Sequence, residues 1–494
     1  MVFNSFEFLL FFPIVALLYF ILPKKIRWIM LLAASYYFYL SWNIELIYLI
    51  VFTTAISYVS ALIIEKTEKK GLKKLCLTVT LLVCLGVLFF YKYFDFLSGS
   101  VIDIANHFGA GWNKFSLDLI LPVGISFYTF QTLSYVIDVY RGSIAAERHF
   151  GYYALYVSFF PQLVAGPIER PENLLPQLRA ANQFNREDFV EGMRMMLVGF
   201  FKKVVVADLC ATYVVAVYDD PAAATGLSVA VATVLFAFQI YGDFAGYTDI
   251  AIGCARVMGI RLMQNFNLPY TSKSIKEFWG RWHISLSSWF KDYLYIPLGG
   301  SRCSEARHAL NVLIVFLVSG LWHGASWHFV LWGGLHGLYQ MIGILLKKPR
   351  RALHEKLRIR EDKGWYPAIE TVFTFLLVAF AWLVFRANST ADLWILVKSL
   401  FSGWDFTAAP IRSGLSFMGL DAESLILCAA AVAVMDMMDK AERRCPDPTA
   451  SGGEAAALPR TRLIPWTAAV WAVALAWIIL ASQGGSGTFI YFQF

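Results

Sequence analysis

The sequence predicts an all-α polytopic membrane protein of roughly eleven transmembrane helices, with re-entrant or interfacial helices among them. Three observations carry that expectation. The 494 residues are 58% hydrophobic and only 16% charged, whereas soluble domains carry about 25% charged residues. The apolar residues gather in runs long enough to cross a bilayer. The basic residues fall in short clusters between those runs, as the positive-inside rule requires, so the net charge of +7 is no sign of nucleic-acid binding. Mean hydropathy is +0.57.

In order along the chain, apolar runs cover about 7–22, 28–42, 46–64, 75–91, 119–137, 152–164, 193–217, 227–252, 309–346, 366–385, 423–438 and 463–482. The first is not expected to be a signal peptide, because Lys24, Lys25 and Arg27 follow it rather than precede it, and no small-residue cleavage site is evident. It is expected to be a retained span with its N-terminus outside. Lys24-Lys25 and the stretch 65–74 (EKTEKKGLKK) then lie on one side by parity, which makes that side cytoplasmic. Segment 92–118 falls outside and is poor in Lys and Arg. Lys347-Lys348-Pro349-Arg350-Arg351 and 440–462 mark cytoplasmic loops, so 386–422 and the C-terminus, Phe494, fall outside. The middle, 164–300, does not parse by parity. Its Pro, Gly and charge, mixed with aromatics, suggest re-entrant or interfacial helices lining a cavity. No matched pair of broken helices argues for an inverted-repeat transporter, and paired intramembrane charges are not evident. The seven cysteines form no CxxC pair, which argues against a disulfide framework or a zinc site.

The run 309–346 contains no Asp, Glu, Lys or Arg, yet it carries His323 inside Gly320-Leu321-Trp322-His323-Gly324. A titratable group at bilayer depth costs a few kcal/mol and is functional or internally paired. The glycines Gly320, Gly324, Gly333 and Gly334 permit a break that would turn the run into two short spans or a span and a return. His328 and His336 share the run. On one helix they would each stand about 140° from His323, on opposite sides, so a local metal site is not expected. For those two, a hydrogen bond in the core is sufficient explanation.

In 278–293 the residues Trp279, Trp282, His283, Leu286, Trp289, Phe290 and Tyr293 recur at helical spacing, with Arg281, Ser285, Ser288 and Asp292 opposite. An amphipathic interfacial helix anchored by Trp accounts for the pattern, and it turns His283 toward protein, within range of His323.

FWGRWHISLSSWFKDYLYIPLGGSR (278–302) followed by GLWHG (320–324) closely resembles the membrane-bound O-acyltransferase family. AGPIERP (165–171), GFFKKVVVAD (199–208), YGDFAGYTDIAIG (241–253), QNFNLPY (264–270), the opening MVFNSFEFLLFF and the terminal FIYFQF extend the likeness over almost the whole chain. It is strongest to a bacterial branch that modifies alginate and teichoic acid. The resemblance implies a helical bundle forming a central funnel or tunnel, a single domain over 1–494 in the bacterial inner membrane. Acyl groups would pass from a cytoplasmic donor, acetyl-CoA above all, to an extracytoplasmic acceptor. The implied acceptor is a cell-surface polysaccharide, with teichoic acid, lipid or protein as alternatives. An esterase-like extracytoplasmic acetyltransferase and the polysaccharide biosynthesis machinery are the implied partners. A transporter or channel without chemistry is the reading from another class. The family's near-invariant histidine falls on His323 and its second functional histidine on His283.

The residues suit that chemistry. Transfer from a thioester to a hydroxyl needs the hydroxyl proton removed during attack, and a buried neutral imidazole can accept it. Trp322, Asn265 and Asn267 are candidates to line the tunnel or stabilise the oxyanion. Asp249, like Asp243, would either orient a base or pair with Arg256 or a lysine. Gly484-Gly485-Ser486-Gly487 tethers an extracytoplasmic aromatic tail (483–494). By likeness to a short peptide of the D-alanylation system, its Tyr491 could relay the acyl group; a docked structural tail explains it equally.

Overall fold

The computed structural model describes residues 1–42, 44–163, 166–180, 182–357, 364–402, 404, 407–443 and 477–478. Every extended regular element among them is a helix. The tail with Tyr491 lies outside the described residues.

Helix α1 (Phe6–Ile21) starts where the Ser5 hydroxyl accepts the Phe8 N–H at 3.2 Å, an N-cap that satisfies an otherwise orphaned donor. After α2 (Arg27–Leu40) come α3 (Ile47–Lys66) and α4 (Lys70–Leu88). A π-helical segment, Phe89–Tyr93, carries α4 directly into α5 (Phe94–His107), so the helix continues well past the apolar run that ends at 91. The extra residue of a π segment re-aims the side chains around it, here Lys92. The polypeptide continues through α6 (Ile125–Arg141), α7 (Phe150–Ser158), the one-turn α8 (Phe160–Leu163) and α9 (Pro171–Ala180). Asn185 caps α10 (Arg186–Phe200), which passes through a second π segment, Phe201–Ala207, into α11 (Asp208–Asp219). Opposite them runs α12 (Gly226–Val257), begun by a Thr225/Ser228 capping box.

The α10–α12 contact shows why small residues are needed here. A Cβ on Gly192 would stand 2.6 Å from the Gly253 carbonyl oxygen, and one on Gly199 2.5 Å from that of Gly246. Lipid gives helices no hydrophobic reason to associate, so close backbone packing at such small residues does the work.

Beyond α12 come two short helices, α13 (Ile275–Trp279) and α14 (Ile284–Phe290). A third π segment, Lys291–Tyr295, follows them. The expected single helix over 278–293 is thus broken at Gly280–His283. The 309–346 run forms a hairpin of α15 (Glu305–His323) and α16 (Trp327–Leu345), and the break falls at Gly324. The two cross where a Cβ on Gly320 would meet the Phe329 carbonyl oxygen at 2.3 Å. With α15 and α16 separate, the one-helix angles among His323, His328 and His336 no longer apply. The described chain closes with α17 (Lys347–Leu357), α18 (Trp365–Arg386), α19 (Thr390–Phe401), α20 (Ala408–Phe417) and α21 (Ala422–Arg443).

Five of these helices are long and apolar enough to cross a membrane, or up to seven if each bent pair is one span. The five are Ile44–Lys66, Lys70–His107, Gly226–Val257, Glu305–His323 and Trp365–Arg386. Their inner faces share one aromatic-rich core, in which Trp282, Trp332 and Trp382 are fully buried.

Candidate active site

His323 is the last residue of α15. The helix stops there because Gly324 is pressed onto Phe329: a Cβ at Gly324 would lie 2.1 Å from that ring. The last carbonyls of a helix lack intrahelical partners. Here the Lys92 ammonium donates to those of Trp322 and His323, at 2.8 and 3.2 Å.

His283 reaches the same place by a different route. It sits at φ 46°, ψ 54°, the left-handed region that a non-glycine residue rarely adopts, at a cost of about 1–3 kcal/mol. Long-range pairing holds it there. The Asn267 N–H donates to the Arg281 carbonyl and the Ile284 N–H to the Asn265 carbonyl, both at 2.9 Å. The Asn265 side chain completes the clamp. Its Oδ1 meets the Ser285 N–H at 3.2 Å, the Ser285 hydroxyl at 2.9 Å and His283 Nδ1 at 3.1 Å. A backbone N–H can only donate, so the facing atom is the amide oxygen, and His283 must present Nδ1–H to it. That leaves His283 Nε2 with its lone pair, buried and without a hydrogen-bond partner among the described residues.

The two imidazoles lie with ring centroids 6.4 Å apart, and both are buried. Trp322 and Trp332 wall His323, each at 4.9 Å and nearly perpendicular, with Phe385 at 5.8 Å. Phe244 covers His283 at 4.7 Å. The indole N–H groups of Trp322 and Trp332 and the Asn265 amide nitrogen are also buried without hydrogen-bond partners among the described residues. Native interiors leave few such groups, and each calls for an explanation. Donors without acceptors beside an imidazole lone pair are what a polar reacting group would fill.

The other expected residues divide. His336 Nδ1 accepts the Trp279 indole N–H at 3.2 Å, and His328 Nδ1 meets the Ser326 hydroxyl at 2.8 Å, so both have core partners. Asn267 contributes its backbone to the His283 turn. Asp249 belongs elsewhere: Lys202 bridges it and Asp439, each at 2.6 Å, while Lys203 bridges Asp208 and Asp243 at 2.8 and 2.7 Å. Tyr241 donates to Asp439 at 2.6 Å. Of the partners offered for Asp249 and Asp243, a lysine is the one found, in buried charge pairs, while Arg256 pairs with Asp188 instead. A cavity of about 660 Å³ opens between α5 and the start of α16, lined by Ser100, Asp103, His107 and Trp327 among others, but neither His283 nor His323 is on its wall. Lys92 and Trp332 are site residues that the sequence reading passed over. The signal for Lys92 is a lone cation flanked on both sides by aromatic residues, Tyr91 and Tyr93.

With this geometry in view, the relatives are informative. A probable alginate O-acetylase AlgI of Azotobacter vinelandii is 37% identical over 88% of this chain and 84% of its own length. That of Pseudomonas aeruginosa is 35% identical over 93% and 88%. A peptidoglycan O-acetyltransferase of Helicobacter pylori is 34% identical over 79% and 77%. A model of the membrane-bound O-acyltransferase family matches residues 143–385, a span that contains both histidines, Asn265 and α15. The chain is an O-acyltransferase enzyme and belongs to the membrane-bound O-acyltransferase family.

Proposed function

We propose that this chain transfers an acetyl group from cytoplasmic acetyl-CoA to the hydroxyls of an extracytoplasmic polysaccharide. It does so as a single multi-pass domain of the bacterial inner membrane, with roughly eleven crossings around a funnel and both termini outside. The observation that carries the reading is the buried histidine pair, beside polar groups that have no partner among the described residues.

In this mechanism His323 is the base. The acceptor oxygen attacks the thioester carbon, a C–O bond forms, and the hydroxyl proton passes to the imidazole. The carbonyl pair moves onto oxygen, where the indole N–H groups of Trp322 and Trp332 and the Asn265 amide can donate to it. Collapse breaks the C–S bond, and the thiolate takes the proton from the imidazolium, leaving an ester and a free thiol. His283, with Nδ1–H committed to Asn265, offers Nε2 as an acceptor, suited to an amide N–H of the donor's arm. Positioned base catalysis supplies about 10²–10⁴-fold, so the donors are needed as well. Tyr491, on the tail 483–494, receives the acyl group and presents it to an esterase-like extracytoplasmic transferase. A phenol, with pKa about 10, leaves more readily than a sugar hydroxyl.

The test is His323→Ala. It should abolish ester formation on the polymer while the protein accumulates normally in the membrane, and His323→Gln should not restore turnover. Substantial acetylation by a well-folded His323→Ala protein would refute the assignment.

A further inference from the structure

Lys92 lies in the π-helical segment between α4 and α5, within Lys70–His107, a 38-residue helix with the apolarity of a membrane span. A cation at that depth is expensive and persists where it serves a function or meets a partner. The partners of Lys92 are the carbonyl oxygens of Trp322 and His323 and the face of the Trp322 indole, 6.0 Å from the ammonium. Among the described residues no carboxylate pairs with it. An ammonium has three donors; two are used on these carbonyls, and the third has no acceptor in the described protein.

The placement answers an electrostatic problem. The C-terminal end of a helix carries about half a negative charge on its unpaired carbonyls. An oxyanion forming beside His323 would therefore be repelled by α15 itself. An ammonium seated on the last two carbonyls reverses the sign of that end. It also fixes the turn from which the imidazole projects.

We propose that Lys92 is a positioning residue for acyl transfer, holding the His323 turn and making the end of α15 tolerate the negative charge that builds on the acyl carbonyl oxygen. This rests on the acyl-transfer reading above. At the tetrahedral stage the site holds an oxyanion and an imidazolium, both created within an apolar surrounding that screens charge poorly. A cation already in place assists without reorganisation at the moment of reaction. When the carbonyl re-forms and the thiolate regains the proton, the site is neutral again apart from Lys92, so the residue neither gains nor loses a proton.

The experiment compares Lys92→Arg, Lys92→Gln and Lys92→Met with wild type and His323→Ala. Purified membranes receive radiolabelled acetyl-CoA as the probe donor. Polymer-bound label gives kcat and KM, immunoblotting gives the amount of protein, and melting in detergent reports folding. Glutamine can still donate to the carbonyls but carries no charge. Loss of one oxyanion-stabilising group costs about 10²–10³-fold in kcat. Gln and Met should therefore fall by roughly 10²-fold in kcat with KM changed less than about threefold, while Arg stays within about tenfold of wild type. Gln at or near wild-type turnover, or Arg as poor as a well-folded Met variant, overturns the proposal alone. Wild-type membranes no more active than His323→Ala membranes overturn the acyl-transfer reading and this inference with it.

Discussion

Asn265 is the residue through which the histidine pair can be tested most sharply. Its Oδ1 serves three donors: the Ser285 N–H, the Ser285 hydroxyl and His283 Nδ1–H. Asn265→Ala removes that one acceptor and with it all three hydrogen bonds. The hydroxyl can rotate toward another acceptor, but the Ser285 N–H and the imidazole N–H are left buried. Each unsatisfied group costs about 1–3 kcal/mol, so the local penalty is about 2–6 kcal/mol before relaxation. The kinetic effect is separate. Without Oδ1 nothing holds the proton on Nδ1, and a ring protonated on Nε2 donates where it should accept. His283 accepts from the donor's arm and is not the base, so the wrong tautomer leaves one buried hydrogen bond unmade, at about 1–3 kcal/mol, or roughly 5- to 150-fold in activity. Asn265→Ala should thus lower polymer-bound acetyl transfer by between those limits, read in membranes with protein levels matched by immunoblot. Asn265 acts through His283 and also offers its amide N–H to the oxyanion, so Asn265→Ala/His283→Ala should be less active than His283→Ala, but by less than the product of the two single losses. Activity of Asn265→Ala within twofold of wild type would refute the tautomer argument. So would a double variant showing the full product of the two single losses.

Two further outcomes follow from the ion cluster and the tail. Lys202→Met strips a shared cation from Asp249 and Asp439, and breaking a buried pair costs about 3–5 kcal/mol. The variant should melt earlier in detergent, with part of the loss recovered in Lys202→Met/Asp439→Asn; an unchanged melting temperature would count against a stabilising cluster. Tyr491→Phe keeps an aromatic surface but removes the nucleophile, so it should abolish polymer acetylation while the protein accumulates. Undiminished acetylation there, with loss on deletion of 489–494, would make the tail structural and end the relay idea.

Much of the fold was legible because its signals are local. A 38-residue run free of Asp, Glu, Lys and Arg says membrane without reference to anything else in the chain, and a histidine inside it is conspicuous for the same reason. A break among Gly320, Gly324, Gly333 and Gly334 was also readable, but that it falls at Gly324 depends on the packing of Phe329 against that glycine. The helix assigned to 278–293 failed on a long-range effect. Its three-and-four aromatic spacing is real, but residues 265–267 pair with 281–284 and force His283 into a left-handed turn that periodicity cannot register. Asn265 was picked out as a polar lining residue. Its three-way acceptor role depends on Ser285, which had been placed on the outward stripe of a helix that does not form.

The charged residues fail in a more general way, and the reason is physical. A lysine after an apolar run ordinarily marks the end of a span, because water is the cheapest partner for an ammonium. Parity from the earlier basic clusters places Lys92 in an outer segment. What keeps it within a helix of span-like length is a pair of carbonyls 230 residues along the chain, in a helix whose own end needs donors. Lys202 and Lys203 follow the same rule, drawn inward by aspartates on α12 and, for Lys202, on α21 as well. For Asp249 and Asp243 a lysine partner is legible in the sequence, though not which lysine; for Lys92 the sequence shows the cost of the charge and conceals the group that offsets it. A cation beside aromatic residues in an apolar run is therefore ambiguous between boundary and site, and the distinction rests on whether the fold brings acceptors to it. At Lys92 the acceptors belong to the residues that carry the candidate base, which is why that lysine, and not the better-paired Lys202 or Lys203, is the one expected to affect turnover.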